Sequence, residues 1–193
     1  MAYIDQVIAN PKTGQSIRFI QTSRDTRGRL LEMESTYNPH STEPVAHYHP
    51  QQDEAFTVLA GALTVRINGT LTALKAGDTL HIPKNTIHSM WNNGDQPAVV
   101  NWQVRPALNT EFLLESGMRL ASDGKTKADG TPPLLQAVVL VHQFRNEYRL
   151  AKPPYAVQRL LFPILAAIGR LLGYRATYEK YNQEQPGVMK VLE

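Results

Sequence analysis

The chain has no cysteine among its 193 residues, which excludes disulfide frameworks, thiolate metal sites and cysteine nucleophiles together. It also lacks a long apolar run. The most hydrophobic stretch, between Arg159 and Arg170, holds ten uncharged residues. That is roughly 15 Å of helix, against about 30 Å of bilayer hydrocarbon, so it is too short to span a membrane. No phosphate-cradling or dinucleotide-binding glycine pattern occurs, no internal repeat, and no DNA-binding motif, so nucleic acid is not an expected partner. The opening residues MAYIDQVIANPKTGQ lack the basic-then-apolar layout of a secretory signal, which makes the cytoplasm the expected address. Without such a signal, Asn68-Gly69-Thr70 reads as a turn rather than as a sugar acceptor.

What is present suits a folded domain with an appendage: 42% of residues are hydrophobic and 19% are charged. The net charge of +3 conceals an asymmetry. Residues 1–124 carry a net −2, and residues 125–193 a net +5. The basic excess is spread among apolar residues, as on a solvated helix face, although contact of this tail with a membrane surface is a second option.

Two textures divide the chain. From Ile4 to about Glu115, short runs such as SIRFIQTS, AFTVLAG, ALTVRI and AVVNWQVR are rich in β-branched and aromatic residues, and turn residues separate them. RINGTL marks a tight hairpin, because Asn-Gly accepts positive φ. Short strands at close spacing predict an all-β antiparallel sandwich or barrel over residues 1–121. The polar segment 122–132 reads as a linker. Residues 133–193 read as a helical extension packing on the barrel or on a second subunit. In it, Leu134, Val138, Val141, Phe144 and Tyr148 follow one helical spacing. Val157, Leu160, Leu161, Ile164, Leu165, Ile168, Leu171 and Leu172 form a second stripe, with a kink or break expected at Pro163.

The chemistry concentrates in HYHPQQDEAFTVLAG, residues 47–61. His47 and His49, two apart in an extended chain, point to one side, and Glu54 follows. About thirty residues later, GDTLHIPKNTIHSMWN brings His88 to a strand end. If the two segments are neighbours in a closed barrel, three imidazoles and a carboxylate converge. Such a donor set suits Fe, Mn, Ni, Co, Cu or Zn and leaves coordination positions open. His40, His81 and His142 fit no ligand position, Asp53 is the rival to Glu54, and Asn92 reads as a loop brace. Strand parity sets Phe56 and Val58 beside Glu54 and Met90 beside His88. Trp102, Trp91 and Met33 are further wall candidates; the expected pocket is Phe56, Met90 and Trp102, with ordinary barrel core as the alternative.

These spacings resemble the two motifs of the cupin superfamily over residues 30–110. The first motif is matched by His47-Tyr48-His49, four residues, Glu54, six residues, Gly61. The second is matched by Gly77, five residues, Pro83-Lys84-Asn85, two residues, His88, three residues, Asn92. Fifteen residues separate Gly61 from Gly77, as in small single-domain bacterial members. Two turn glycines of the pattern are replaced, by Ser41 and Asn85, and neither position is a proposed ligand. The resemblance implies a double-stranded β-helix, or jelly-roll, barrel with a C-terminal α-helical extension. It implies one divalent transition metal held by His47, His49, Glu54 and His88, with Glu54 also a candidate catalytic base. It further implies a metal-dependent enzyme on a small organic substrate, of the dioxygenase type, with a non-catalytic binding or sensing module as the alternative and an isomerase or decarboxylase as the weaker one. A homodimer is the expected assembly.

Overall fold

The computed structural model describes residues 2–177. Ten strands precede the first helix. They are β1 (Val7–Asn10), β2 (Gln15–Gln21), β3 (Leu31–Tyr37), β4 (His47–Tyr48), β5 (Asp53–Ala60), β6 (Ala62–Ile67), β7 (Thr70–Lys75), β8 (Thr79–Ile82), β9 (His88–Trp91) and β10 (Ala98–Arg105). Then come α1 (Thr110–Ser122), α2 (Leu134–Gln143), the two-residue β11 (Arg149–Leu150) and α3 (Tyr155–Leu171). One sheet runs β1-β2-β3-β10-β5-β8 and the other β11-β4-β9-β6-β7, with antiparallel pairing throughout. This is the expected jelly-roll-like β architecture with a helical extension.

Period-two patterning explains the sheets. In β3, Leu31, Met33, Ser35 and Tyr37 are buried while Glu32, Glu34 and Thr36 alternate with them. In β5, Glu54, Phe56 and Val58 share the buried face, so a carboxylate occupies a position that the pleat otherwise reserves for apolar side chains. Between the sheets, Tyr37, Phe56, Val58, Leu63, Val65, Ile82, Met90 and Val100 form the barrel core. A second cluster, with Ile17, Phe19, Leu31, Met33 and Val104, extends toward Met118 of α1. The β6–β7 hairpin turns on Asn68 and Gly69 at φ 47° and 89°, the positive values its sequence requires. Gly61 is demanded twice over: its φ is +72°, and a Cβ there would lie 2.2 Å from the carbonyl oxygen of Pro97.

The helical part departs from expectation in three ways. First, the β signals read as far as Glu115 give way to α1 at Thr110. Glycine at position 117 weakens the helical signal, and the N-cap Asn109 makes no side-chain cap. Second, the periodicity read from Leu134 through Tyr148 stops at Gln143; Arg149 and Leu150 turn to pair with Tyr48 and His47 of β4. The apparent helix face was a helix followed by a strand. Third, α3 runs continuously through Pro163, so of the kink or break expected there the break does not occur.

Helix α3 buries only Gln158, Phe162, Ala166 and Gly169. Phe162 and Ala166 pack with Val138, Val139 and Val141 of α2. The apolar stripe itself stays outside: Leu160, Ile164 and Leu171 are 70%, 59% and 88% exposed in the single chain. Packing on the barrel or on the preceding helix is therefore not what covers those residues. No described helix is long and apolar enough to cross a membrane.

Candidate metal centre

The three histidines are delivered by two short strands of the smaller sheet and the bend beside them. His47 of β4 pairs directly with His88 at the start of β9. His49 lies just past β4, where the chain bends toward β5. One ring nitrogen from each of His47, His49 and His88 lies within 4.8 Å of the other two, an arrangement able to hold a metal ion. Glu54 enters from the other sheet. Its Oε2 stands 3.3 Å from Nε2 of His49 and 2.9 Å from Nε2 of His88. The structure thus gathers the three predicted histidines and sets Glu54 against two of them. His49, Glu54 and His88 are buried and His47 is half-buried.

Each imidazole is held from behind. Nδ1–H of His47 donates to the Val45 carbonyl at 3.0 Å, that of His49 to the Glu147 carbonyl at 2.6 Å, and that of His88 to the Thr86 carbonyl at 2.9 Å. A carbonyl can only accept, so all three rings carry the proton on Nδ1 and turn Nε2 free of it when neutral. Backbone carbonyls in this role fix tautomer and ring plane, as outer partners of metal-bound histidines do. Nε2 of His49 and Oε2 of Glu54 are buried without a satisfactory hydrogen bond. A neutral imidazole Nε2 and a carboxylate oxygen both offer lone pairs, so facing each other in a dry interior they are costly unless something binds both. The residues present therefore fit a cation.

The charges agree. Burial alone would raise the Glu54 carboxyl, but the imidazoles of His49, His88 and His47 overcome it and hold the group at about 2. His47 is pushed down to about 3, first by burial and then by the neighbouring His88 and His49 rings. Burial opposes protonation of His88 as well, yet its bond to Glu54 and that carboxylate's charge outweigh it and raise the ring above its ordinary value. One carboxylate thus faces three rings, and of these it draws the pKa of His88 upward.

The surrounding side chains divide into walls and braces. Trp102 donates its indole N–H to Oε1 of Glu54 at 2.9 Å and stacks on Phe56 with centroids 5.8 Å apart, so two of the three predicted wall residues form one unit behind the carboxylate. Met90 lies in the barrel core. Trp91 lies under the Arg66 guanidinium, and Met33 belongs to the other core cluster. Asp53, the rival carboxylate, is exposed and accepts from the Lys84 amide, tying the two motif loops together. The Asn85 amide in turn donates to the His49 carbonyl at 2.8 Å, and Asn85 has φ 65°, the left-handed conformation expected of glycine's replacement. Asn92 is buried; it donates to the Tyr37 and Gln96 carbonyls and accepts from the Gly94 amide, a brace as expected. His40 pairs with Asp95 at the surface.

Three contributors were not foreseen, and two of them lie in the extension. The Glu147 carbonyl orients His49, and the Tyr148 ring stacks on His47 with centroids 4.6 Å apart and planes 26° apart. Sequence spacing gave no signal for either. A carbonyl belongs to every residue, and Tyr148 looked like the last position of a helix face. Gln52 was also missed; its amide donates to the Pro106 and Ala107 carbonyls and to the Thr110 hydroxyl, fixing the loop that enters β5.

Comparison with known proteins follows the same outline. A family model described as the cupin domain matches residues 33–104. Quercetin 2,3-dioxygenase of Bacillus subtilis is 35% identical over 78 residues, 40% of this chain and 23% of that protein. Tetracenomycin polyketide synthase protein TcmJ of Streptomyces glaucescens is 30% identical over 106 residues, 53% of this chain and 69% of that protein. The chain thus spans about a quarter of the first relative and about two thirds of the second. Among solved structures, an RmlC-like cupin from Shewanella frigidimarina aligns with a TM-score of 0.47 at 17% identity, covering 57% of this chain and 94% of that one.

Proposed function

The chain belongs to the cupin superfamily, and from that premise we propose that it is a metal-dependent enzyme of the dioxygenase type, acting on a small organic molecule. The observation that carries this reading is the inward set of His47, His49, His88 and Glu54, with every imidazole anchored through Nδ1 and the buried Nε2 of His49 left without a hydrogen bond beside Oε2 of Glu54. The relative named quercetin 2,3-dioxygenase supports the same direction. Fe(II), Mn(II), Ni(II), Co(II), Cu(II) and Zn(II) all suit three imidazoles and one carboxylate. The bound ion supplies Lewis acidity and, if redox-active, a means of activating dioxygen.

The protein's own groups set the conditions. The carbonyls of Val45, Glu147 and Thr86 keep the three rings neutral-ready and correctly turned. Glu54 contributes the one negative charge, and Trp102 holds its second oxygen away from the centre. The imidazoles hold the Glu54 carboxyl down, so Glu54 serves as a base only after leaving them. Phe56 and Met90 in the core keep bulk water from the carboxylate's side of the site.

The test is oxygen uptake. Metal-free protein loaded separately with each of the six ions should consume O₂ with a phenolic or enolic substrate for at least one ion, and Glu54→Gln should abolish the uptake. Substrate binding with no uptake for any ion would replace this reading with a binding or sensing module. Product formation without O₂ would point to isomerisation or decarboxylation.

A further inference from the structure

A cavity of about 610 Å³ lies between the barrel and the helices, within the range of sites that enclose small organic ligands. Its walls come from both parts of the molecule: Tyr37 and Met90 from the barrel, Gly117 from α1, Val141 from α2, and Tyr148 beside β11. It abuts the metal centre at two places. Tyr148 is the residue stacked on His47, and Met90 follows His88 by two positions, on the same face of β9. Tyr37 packs in the core cluster that also contains Phe56.

Several polar groups at its margin are already bonded to protein. Gln15 donates to Ser35, Glu43 accepts from Arg66 and Ser89, and Asp129 accepts from Thr131. The Tyr148 hydroxyl forms no hydrogen bond among the described residues, and the buried Thr13 hydroxyl at the far margin also lacks a partner.

Gly117 supplies an independent observation. It sits inside α1, where glycine is the poorest helix former after proline. Neither usual reason for a helical glycine applies: a Cβ at Gly117 would meet nothing within 4 Å, so no neighbouring element needs the room. Its φ is not in the left-handed region. What the missing side chain leaves is open space on the cavity wall.

We propose that this cavity, walled by Gly117, Val141 and Tyr148, is a binding chamber for a largely apolar organic molecule bearing one hydroxyl or carbonyl group, which Tyr148 engages. The chamber's assignment as the place from which substrate reaches the metal rests on the reading given above; the binding site itself does not. The Tyr148 hydroxyl fixes the polar end of the ligand, and the valine and glycine surfaces admit its apolar body. The extension is then a wall of the site rather than an ornament on the barrel.

The probes are 2-naphthol and naphthalene, titrated by fluorescence into the full-length protein with and without metal. Wild type should bind both, and bind 2-naphthol more tightly. Gly117→Leu puts a side chain into this space, its Cβ meeting nothing within 4 Å; it should weaken both probes at least tenfold while leaving metal affinity unchanged and Tm equal or higher. Tyr148→Phe should remove the preference for 2-naphthol and leave naphthalene binding within twofold. Wild type that binds neither probe, or Gly117→Leu that binds them as wild type does, overturns the chamber. Equal loss of both probes in Tyr148→Phe overturns the role given to the hydroxyl. Probe binding in a protein that takes up no metal supports the chamber and removes the metal enzyme; metal uptake without probe binding removes the chamber alone.

Discussion

The barrel and the extension handle apolar surface in opposite ways. The strands place Phe56, Val58, Leu63, Val65 and Val100 at 2% exposure or less, whereas α3 leaves Leu160 and Leu171 at 70% and 88%. At about 25 cal/mol per Å² of apolar surface removed from water, the barrel's stability comes from its own interior. Little of α3's apolar surface contributes in the single chain. Yet the loosely covered part reaches the chemistry. Residues 147–150 pair with β4, orient His49 and lie against His47. Large burial builds the scaffold, and a four-residue seam of modest area aligns the site.

Substitutions on each side of that seam test the contrast, and the largest effect is expected in the barrel. His88→Ala removes one inward ring and leaves Glu54 buried with one partner fewer. Metal affinity by calorimetry should fall about a hundredfold or more, beyond the roughly 10–100-fold that loss of an outer partner costs. Next is the seam. Tyr148→Ala takes away the ring stacked on His47, and a loss of roughly tenfold in metal affinity is expected from loosening that ligand. Wild-type affinity in this variant would make the extension a passive cover and dissolve the comparison.

Acidity probes the barrel side alone. His88 is raised above its ordinary value, so its pairing with Glu54 stabilises the metal-free fold fully below the unfolded value of about 6.5, and the contribution fades as pH rises through the raised folded value. Metal must displace that proton, so its hold strengthens over the same window. The rise in Tm on adding Zn(II) should therefore be larger at pH 8 than at pH 6; a shift independent of pH would contradict the His88–Glu54 assignment. The smallest effect belongs to the outer face of α3. Leu160→Ser, Ile164→Ser and Leu171→Ser alter exposed positions, and each should change stability by no more than about 0.5 kcal/mol, with metal affinity unaltered.

The same contrast explains what could be read from sequence. The spacing of His47, His49, Glu54 and His88 was legible because strand parity and two turns dictate which side each residue faces. Gly61 and Asn85 occupy backbone positions that their types announce. The seam was not legible. The bond to His49 comes from a main-chain carbonyl 98 residues away, and no side-chain pattern encodes that. Tyr148 stood at helical spacing from Val141 and Phe144, and only the pairing of Arg149 and Leu150 with β4 takes it off the helix. Helix α1 escaped because Gly117 and the uncapped Asn109 remove the usual marks of a helix interior and start. If Gly117 keeps a chamber open, the residue that hid the helix is one that serves the site.

An anomalous-difference map from metal-loaded crystals, recorded at the absorption edge of the added ion, bears on the central claim most directly. The account predicts one strong peak within bonding distance of Nε2 of His47, His49 and His88 and of a Glu54 carboxylate oxygen. A peak coordinated elsewhere, or density showing Glu54 turned away from an ion held by other groups, would contradict it.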